Sequence, residues 1–343
     1  MKVGKVSENV LKRAVFKQIR HRRKEVLVRG GIGEDCAAVD IGDDEVAVLS
    51  TDPITGAAKE IGTLAVHITA NDIASSGAEV IGILTSIILP EGTREIALRR
   101  MMQEIEEVCS QLEIEVVGGH TEVSNAVNQP LITVTGIGKI KKSKLLSTKG
   151  LEPGDELVMT KWTGLEGTAI LANERFEELT KKYTEDFIST AKEFMKHISV
   201  VPEARIAARL GACAMHDITE GGVYGAIWEM ASASNLGAEV DLQKIPIRQE
   251  TVEICEYFDL NPYQLISSGC MLIGTKQGNV LVEELKKAGI PAAVIGKIVE
   301  GNDKVVISGE ERRYLEPPRS DELYKALKSN TPQQATGNDL ASF

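Results

Sequence analysis

The sequence lacks any long uninterrupted apolar run. In 343 residues there is no stretch of about 18 apolar residues, the length that a membrane-spanning helix needs. The first ten residues, MKVGKVSENV, also lack the apolar core of a secretion signal. We therefore expect a cytoplasmic protein with no membrane partner.

Paired cysteines and aromatic residues are also scarce. The five cysteines are widely spaced and form no CxxC pair, which argues against a disulfide framework or a structural zinc site. The five histidines show no ligand spacing such as HExxH, which argues against zinc chemistry. Aromatic residues make up only 4% and the formal net charge is −11, so we expect no nucleic-acid partner.

The most informative stretch that is present is TANDIASSGA, Thr69 to Ala78, which overlaps an apolar run from Ile61 to Ile73. The run suits a helix packed on nearly all sides, yet Asn71 and Asp72 lie in its middle. A carboxylate buried there needs a partner, because an unpaired buried charge is costly. From this stretch alone, that partner is equally well a neighbouring base, a set of hydrogen bonds or a metal.

Two upstream segments also lead into acids. GGIGEDCAAVD carries Gly31, Gly33 and then Asp35, and LSTDP carries Asp52. Mg²⁺ prefers oxygen ligands and usually takes one or two carboxylates together with substrate phosphates. Scattered acids beside a glycine loop therefore suggest Mg²⁺ plus phosphate, although the sequence contains neither a Walker motif nor GxGxxG.

Another glycine pair follows a short predicted strand over Glu115 to Val117. Gly118 and Gly119 let the backbone approach a ligand closely, and His120 comes next. We interpret GGHTE as a second candidate phosphate or metal loop.

The segment HDITEGG, residues 216–222, lies between a predicted strand and a predicted helix. Amides at the start of that helix form an anion site, and Asp217 lies beside them. The alternative, of equal weight, is that Asp217 caps the helix and the two glycines serve only a turn.

The length predicts two domains. Strands and helices are mixed in both halves, and the turn at Pro153–Gly154 follows a basic segment, so we place the boundary near Gly150. From about Pro317 the composition turns polar, and we predict a disordered tail over 317–343.

Taken in order, GGIGED, STD, TANDIA, GGHTE and HDITEGG resemble the superfamily of aminoimidazole ribonucleotide (AIR) synthetase, selenophosphate synthetase, thiamine-monophosphate kinase and the hydrogenase maturation protein HypE. The resemblance spans about residues 5 to 316. It is strongest to HypE, through GIGEDCAAVDIG, NDIASSGA, DITEGGVYGAIWEMASAS and AAVIGKIVEG.

This resemblance implies an α/β fold of two AIR-synthetase-like domains, residues 1–150 and 151–316. The first has an antiparallel sheet that pairs across a homodimer into a barrel, and the second is an α/β sandwich. ATP lies between the domains in such proteins, and their shared chemistry is attack by a substrate on its γ-phosphate. Catalysis of that kind depends mostly on positioning and charge neutralisation.

By the same resemblance, acids hold Mg²⁺ at Asp35, Asp52 and Asp72, and Asp217 lies near the metal or phosphates. We take Asp72, Asp217 and His120 as catalytic candidates. The candidates for binding ATP and Mg²⁺ are Gly31, Gly33, Asp35, Asp52, Asn71, Gly118 and Gly119.

Three departures from HypE limit what is carried over. The chain ends NDLASF where HypE ends in Pro-Arg-Ile-Cys, Ser268 stands where HypE has a glutamate implicated in dehydration, and His120 stands where related enzymes have an acid. Selenophosphate synthetases, however, also have Gly-Gly-His at that last position. We therefore expect no thiocyanate on this chain's own tail.

Three hypotheses result. The first is a homodimeric Mg²⁺- and ATP-dependent enzyme that phosphorylates an oxygen of a small amide or carboxylate. The second is a non-catalytic nucleotide-binding protein that assembles with a maturation-factor partner. The third is a thiamine-phosphate or purine-pathway enzyme.

Overall fold

The structure is a computed structural model that describes residues 6, 8–31, 33–54, 60–318 and 320–328. Its first half forms one six-stranded sheet in the order β1-β2-β3-β6-β4-β5. The strands are β1 Val26–Val28, β2 Ala37–Gly42, β3 Glu45–Ile54, β4 Glu79–Leu89, β5 Glu115–Val123 and β6 Leu131–Lys141. The helices are α1 Glu8–Ala14, α2 Ile61–Ser75 and α3 Glu95–Leu112.

All neighbours in this sheet are antiparallel except β4 and β5, which are parallel. The sheet is therefore mixed, whereas the sequence led us to expect an antiparallel one. The reason is α3, which connects β4 to β5 as a crossover and returns the chain to the same end of the sheet.

Helix α2 is buried at 13 of its 15 positions, which confirms the expectation of a helix packed on nearly all sides. Its outer turns contact α3, and one side packs on β3 and β6. Gly136 and Gly138 of β6 allow this approach, because a Cβ there would lie 2.6 Å from Thr69 and 2.4 Å from Ile73. The opposite side of α2 meets the second half of the chain.

The second half forms a seven-stranded sheet in the order β13-β12-β9-β11-β7-β10-β8. Its strands are β7 Glu156–Thr160, β8 Ala214–Ile218, β9 Gly237–Asp241, β10 Cys270–Thr275, β11 Ala292–Val299, β12 Lys304–Ser308 and β13 Glu311–Tyr314. Its helices are α4 Leu165–Glu174, α5 Phe176–Leu179, α6 Glu185–Lys192, α7 Val201–Arg209, α8 Gly222–Ala233, α9 Gln249–Tyr257, α10 Gly278–Lys287 and α11 Leu323–Lys328. Edge strand β8 lies against α2, so the two halves meet where the acids of both converge.

The prediction of a disordered tail is wrong for residues 320–328. Helix α11 buries Leu323 and Ala326 in an apolar cluster, and the Arg175 guanidinium donates to the Ala326 carbonyl at 2.9 Å. The burial of Leu323 and Ala326 and the hydrogen bond from Arg175 thus fix the position of a segment whose composition is polar. Residues 319 and 329–343 lie outside the described part of the chain.

Within the described residues no helix combines the length and the apolar character required to cross a membrane.

Candidate phosphate and metal centre

Three groups from distant parts of the sequence converge at one point. Donor atoms of Asp35, His216 and Asp217 all lie within 4.8 Å of one another. Asp35 precedes β2, at the end of the glycine-rich loop, and the other two lie on β8, whose five residues are all buried. The site therefore forms where the first domain's loop meets the edge strand of the second sheet.

Asp217 has the strongest signature of a ligand site. The residue is 1% exposed, and neither carboxylate oxygen has a hydrogen-bond partner among the described residues. Burial, followed by the negative charge of Asp35, raises the pKa of Asp217 to about 8. Because a fold does not gain stability from an unpartnered buried carboxylate, these two oxygens fit a bound cation.

Asp72 and Asp52 complete the acidic cluster. Asp72 is 5% exposed, and the Ser50 hydroxyl lies 2.5 Å from its Oδ2 and 3.3 Å from Asp52 Oδ2. Burial, and next the charge of Asp217, raise the pKa of Asp72 well above its ordinary value. The three sequence candidates Asp35, Asp52 and Asp72 thus lie together with Asp217.

His216 is the residue that the sequence analysis did not assign. Its Nδ1 lies 2.6 Å from Asp35 Oδ2 and its Nε2 lies 2.9 Å from Glu229 Oε2. Burial opposes a charged imidazole, but these two carboxylates raise the pKa of His216 well above its ordinary value. The imidazolium donates from both nitrogens and holds Asp35 in position.

In the sequence, the only feature that marks His216 is its position next to Asp217 on a strand that becomes buried. Its partner Glu229 lies 13 residues further on, in α8, and its partner Asp35 lies 181 residues earlier. Local spacing does not reveal either contact.

The donor set fits a hard divalent cation. The carboxylates of Asp35 and Asp217 converge at one point and offer oxygen atoms, which Mg²⁺ prefers, and the oxygens of Asp217 are without a partner among the described residues. His216 uses both nitrogens on carboxylates, so it acts more naturally as their counter-charge than as a ligand.

The glycine loop packs closely on this centre. Gly33 has φ +68°, and a Cβ there would lie 3.1 Å from Glu229 Cβ. Gly31 pairs with Glu34 in an isolated antiparallel bridge. The loop therefore lies against α8 beside Asp35, and Ile32 between the two glycines is outside the described residues.

Asn71 does not face this centre. Its Nδ2 donates to the Ile198 carbonyl at 2.9 Å, and its Oδ1 accepts from the Val200 amide at 2.8 Å. Both hydrogen-bonding functions of the side chain join α2 to the second half of the chain. We correct the prediction that Asn71 binds the cofactor, since both the nitrogen and the oxygen of its amide bind the backbone of the second half.

Gly118, Gly119 and His120 lie away from the acidic cluster of their own chain. They belong to β5, which extends to Val123 instead of ending before the glycines. Asp52 aligns with Val134, Thr85 and Gly119 across four adjacent strands, a separation of roughly 14 Å at about 4.8 Å per strand.

Gly119 has a structural reason to be glycine. A Cβ there would lie 2.1 Å from the Thr85 carbonyl oxygen of β4. His120 is exposed and lies 3.2 Å from Glu122. Within one chain, GGHTE is therefore part of an edge strand and not a second phosphate loop.

One amide at the start of α8 already has a carboxylate partner within the chain. The Asp321 carboxylate accepts from the Gly221 amide at 2.8 Å. The carboxylate of Asp321, from the C-terminal segment, therefore lies where the HDITEGG motif was expected to bind an anion. Asp217 does not cap the helix and lies in the acidic cluster.

Comparison with solved structures shows the same fold. One is the crystal structure of a HypE–HypF complex, with a TM-score of 0.74, 21% identity and coverage of 90% of this chain and 99% of that chain. Another is the hydrogenase maturation protein HypE solved in complex with ATP, with a TM-score of 0.69, 20% identity and coverage of 94% and 97%.

Relatives in sequence extend over most of the chain. A putative hydrogenase expression/formation protein of Methanocaldococcus jannaschii is 30% identical over 335 residues, covering 93% of this chain and 96% of that protein. Carbamoyl dehydratase HypE of Cupriavidus necator is 26% identical over 279 residues, covering 78% and 77%. The prediction that this protein is an enzyme agrees with its similarity to a carbamoyl dehydratase.

Two family models match, one for each half. The AIR synthase related protein N-terminal domain matches residues 33–140, and the C-terminal domain of the same family matches residues 152–309. The resemblance identified from the sequence motifs, and the two-domain α/β fold that it implied, are confirmed. The chain belongs to the AIR synthase related protein family.

Proposed function

We propose that this protein is a Mg²⁺-dependent, ATP-using enzyme that transfers the γ-phosphoryl group to an oxygen of a small amide or carboxylate. The observation that carries the proposal is Asp217, whose two carboxylate oxygens are buried without a partner beside Asp35. The HypE structure solved with ATP supports a nucleotide as the phosphate source.

In this proposal Asp35, Asp52, Asp72 and Asp217 hold Mg²⁺, which supplies the positive charge that neutralises the phosphates. His216 fixes the orientation of Asp35 by donating to its Oδ2. Ser50 bridges Asp52 and Asp72 and so limits the rotation of both carboxylates.

The glycine loop supplies the approach to the phosphates. Gly31 and Gly33 lie on the stretch that leads to Asp35. At Gly33 the place of a Cβ is filled by Glu229 of α8, so in this proposal the phosphate oxygens meet amide groups of the loop on its other side. Catalysis in this arrangement depends on positioning and charge neutralisation rather than on a covalent intermediate with the protein.

We further propose a homodimer. Strands β4 and β5 carry exposed apolar side chains at Ile81, Leu84 and Val117, and the outer edge of β5 pairs with no strand of the described residues. An exposed apolar edge of this kind favours pairing with a second copy. His120 lies on this edge, so any contribution it makes to nucleotide binding would be to the partner's centre.

A protein partner also belongs to the proposal. The solved HypE–HypF complex supports a maturation-factor partner for a chain of this fold. We expect this protein to co-purify with a factor of that kind.

The central test measures Mg²⁺-ATP binding and ATP turnover by the full chain, with and without small amides and carboxylates. Asp217→Asn and Asp72→Asn are expected to lower turnover at least 100-fold, because each removes a negative ligand from the centre. The matched control is Asp186→Asn, which makes the same change at an exposed position of α6 and is expected to match the wild type.

Unchanged turnover in Asp217→Asn would contradict the proposal. Tight ATP binding without turnover for any acceptor or partner would instead favour a non-catalytic nucleotide-binding protein.

A further inference from the structure

A buried ammonium group lies beside the junction between the two halves of the chain. Lys161 directly follows β7, and its side chain is 6% exposed. Its Nζ lies 2.7 Å from Glu203 Oε1 and donates to the Ser199 carbonyl at 2.6 Å and to the Gly269 carbonyl at 2.7 Å. An ammonium has three hydrogens to donate, so these three acceptors use all of them. Lys161 therefore ties together α7, the stretch before α7 and the turn before β10.

The backbone of Lys161 indicates that its side chain is needed. Its φ is +54°, in the left-handed region that favours glycine and is uncommon for a long side chain. The Lys161 amide donates to the Pro291 carbonyl at 2.7 Å, which fixes this conformation. A lysine in a conformation that favours glycine points to a function of the ammonium.

The stretch that Lys161 holds is the one that receives Asn71 of α2. The Asn71 amide binds the backbone on either side of Ser199, donating at 2.9 Å and accepting at 2.8 Å. Asp72 follows Asn71 directly in the helix, so a shift of residues 198–200 would move or turn the part of α2 that carries this acid. The ammonium thus acts on Asp72 through the backbone at Ser199.

The turn that Lys161 holds precedes the strand that pairs with Asp217. Gly269 comes just before β10, and Met271 of β10 lies opposite Asp217 of β8. A second path leads to the same place, because Thr160 donates to the carboxylate that pairs with Lys161 and accepts from the Met271 amide at 2.9 Å. Displacement of the ammonium would therefore also shift the strand beside Asp217.

We propose that Lys161 is a positioning residue of the acidic cluster, and that its ammonium sets the separation between Asp72 of the first half and Asp217 of the second. The inference rests on the proposed Mg²⁺ centre and adds the group that brings its two sides into register. The charge of Lys161 is paired with Glu203, so Lys161 acts on the two acids through the backbone that it holds.

Two variants separate positioning from the mere pairing of charges. Lys161→Met leaves the Glu203 carboxylate buried without its cation, so it should unfold at a clearly lower denaturant concentration than the wild type. The double variant Lys161→Met/Glu203→Gln removes both charges and should recover much of that loss. If the ammonium positions the acids through the two carbonyls, the double variant will not recover the affinity for a cation.

The measurement is Mn²⁺ binding to the full chain without nucleotide, followed by electron paramagnetic resonance, because Mn²⁺ takes the same kinds of oxygen ligand as Mg²⁺. We expect the Kd to rise about 10-fold or more in both variants, within the range for residues that orient metal ligands. Each Kd is measured under conditions where circular dichroism shows the variant to be folded.

Lys276→Met is the matched control, because it removes the lysine of an exposed ion pair, with Glu152, in the same half of the chain. Its Kd for Mn²⁺ and its denaturant midpoint should match those of the wild type. If Lys161→Met does not fold, the double variant supplies the same comparison without an unpaired buried carboxylate.

The proposal is overturned if the folded Lys161→Met variant binds Mn²⁺ as tightly as the wild type. It is also overturned if the double variant regains the wild-type Kd together with its stability, since Lys161 would then serve only the ion pair. A wild type that binds no Mn²⁺ would overturn the proposed metal centre itself, and this inference with it.

Discussion

Individual buried polar residues in this protein differ in whether their polar atoms have hydrogen-bond partners. Asn71 has both ends of its amide satisfied, whereas both carboxylate oxygens of Asp217 are buried without partners among the described residues. The two looked alike in the sequence, as polar residues in or beside apolar stretches. The difference is the hydrogen-bond partner, which is visible only in the fold.

His67 gives a prediction at this scale. It is 7% exposed, its Nδ1 has no partner among the described residues, and burial, with a smaller effect from Lys161, lowers its pKa to about 4. The unfolded chain, with an ordinary histidine pKa of 6.5, binds a proton first as the pH falls. Stability is therefore full above about pH 6.5 and decreases towards pH 4, by roughly 3 kcal/mol.

Denaturant unfolding of the wild type and of His67→Gln, measured from pH 7 to pH 4, checks this expectation. His67→Gln should not lose the part of the free energy of unfolding that the wild type loses through His67 at low pH. His21→Gln, at an exposed position, should follow the wild-type curve. Parallel curves for the wild type and His67→Gln would show that His67 does not titrate as described.

At the scale of elements, the join between α2 and the residues around Ile198 holds the two halves together. Asn71→Ala removes two buried hydrogen bonds and leaves the Ile198 carbonyl and the Val200 amide without a partner. We expect a loss of about 2–4 kcal/mol in the free energy of unfolding. Chemical denaturation monitored by circular dichroism measures it.

Asn173→Ala is the comparison for this variant. Asn173 is half-buried and donates one bond, to the Ala169 carbonyl of its own helix at 3.1 Å, so its loss should cost under about 1 kcal/mol. Equal losses for the two variants would mean that Asn71 is no more than a local helix contact.

At the scale of the whole molecule, the uncovered edge of the first sheet predicts a dimer. Leu84 is 40% exposed on β4, and a lysine there would place a charge on the proposed contact. Leu84→Lys is expected to shift the protein from dimer to monomer in sedimentation velocity, with little change in the melting of each chain.

Val252→Lys is the control for this substitution, because Val252 is also 40% exposed but lies on α9, far along the chain from the sheet edge. It should leave the dimer intact. A wild type that sediments as a monomer would count against the dimer, and so would a Leu84→Lys variant that stays dimeric.

The sequence alone determined the features that depend on local pattern. The apolar run around Asp72 predicted a buried helix, and the acids Asp35 and Asp52 at the ends of glycine-rich or apolar stretches predicted a shared centre. Asp72 could be singled out because a buried acid contradicts its own surroundings within a few residues, whereas Asp35 and Asp52 stay a prediction as metal ligands. The ordered motifs likewise predicted the family and its two-domain fold.

Tertiary structure alone decided the features that depend on partners far along the chain. His216 became a counter-charge because the fold brought Asp35 and Glu229 to its two nitrogens, and GGHTE became an edge strand because α3 returned the chain beside β4. Residues 320–328 are ordered by buried contacts that composition does not register. The physical reason is the same in each case: burial and hydrogen bonding are fixed by neighbours in space, while a sequence pattern reports only neighbours along the chain.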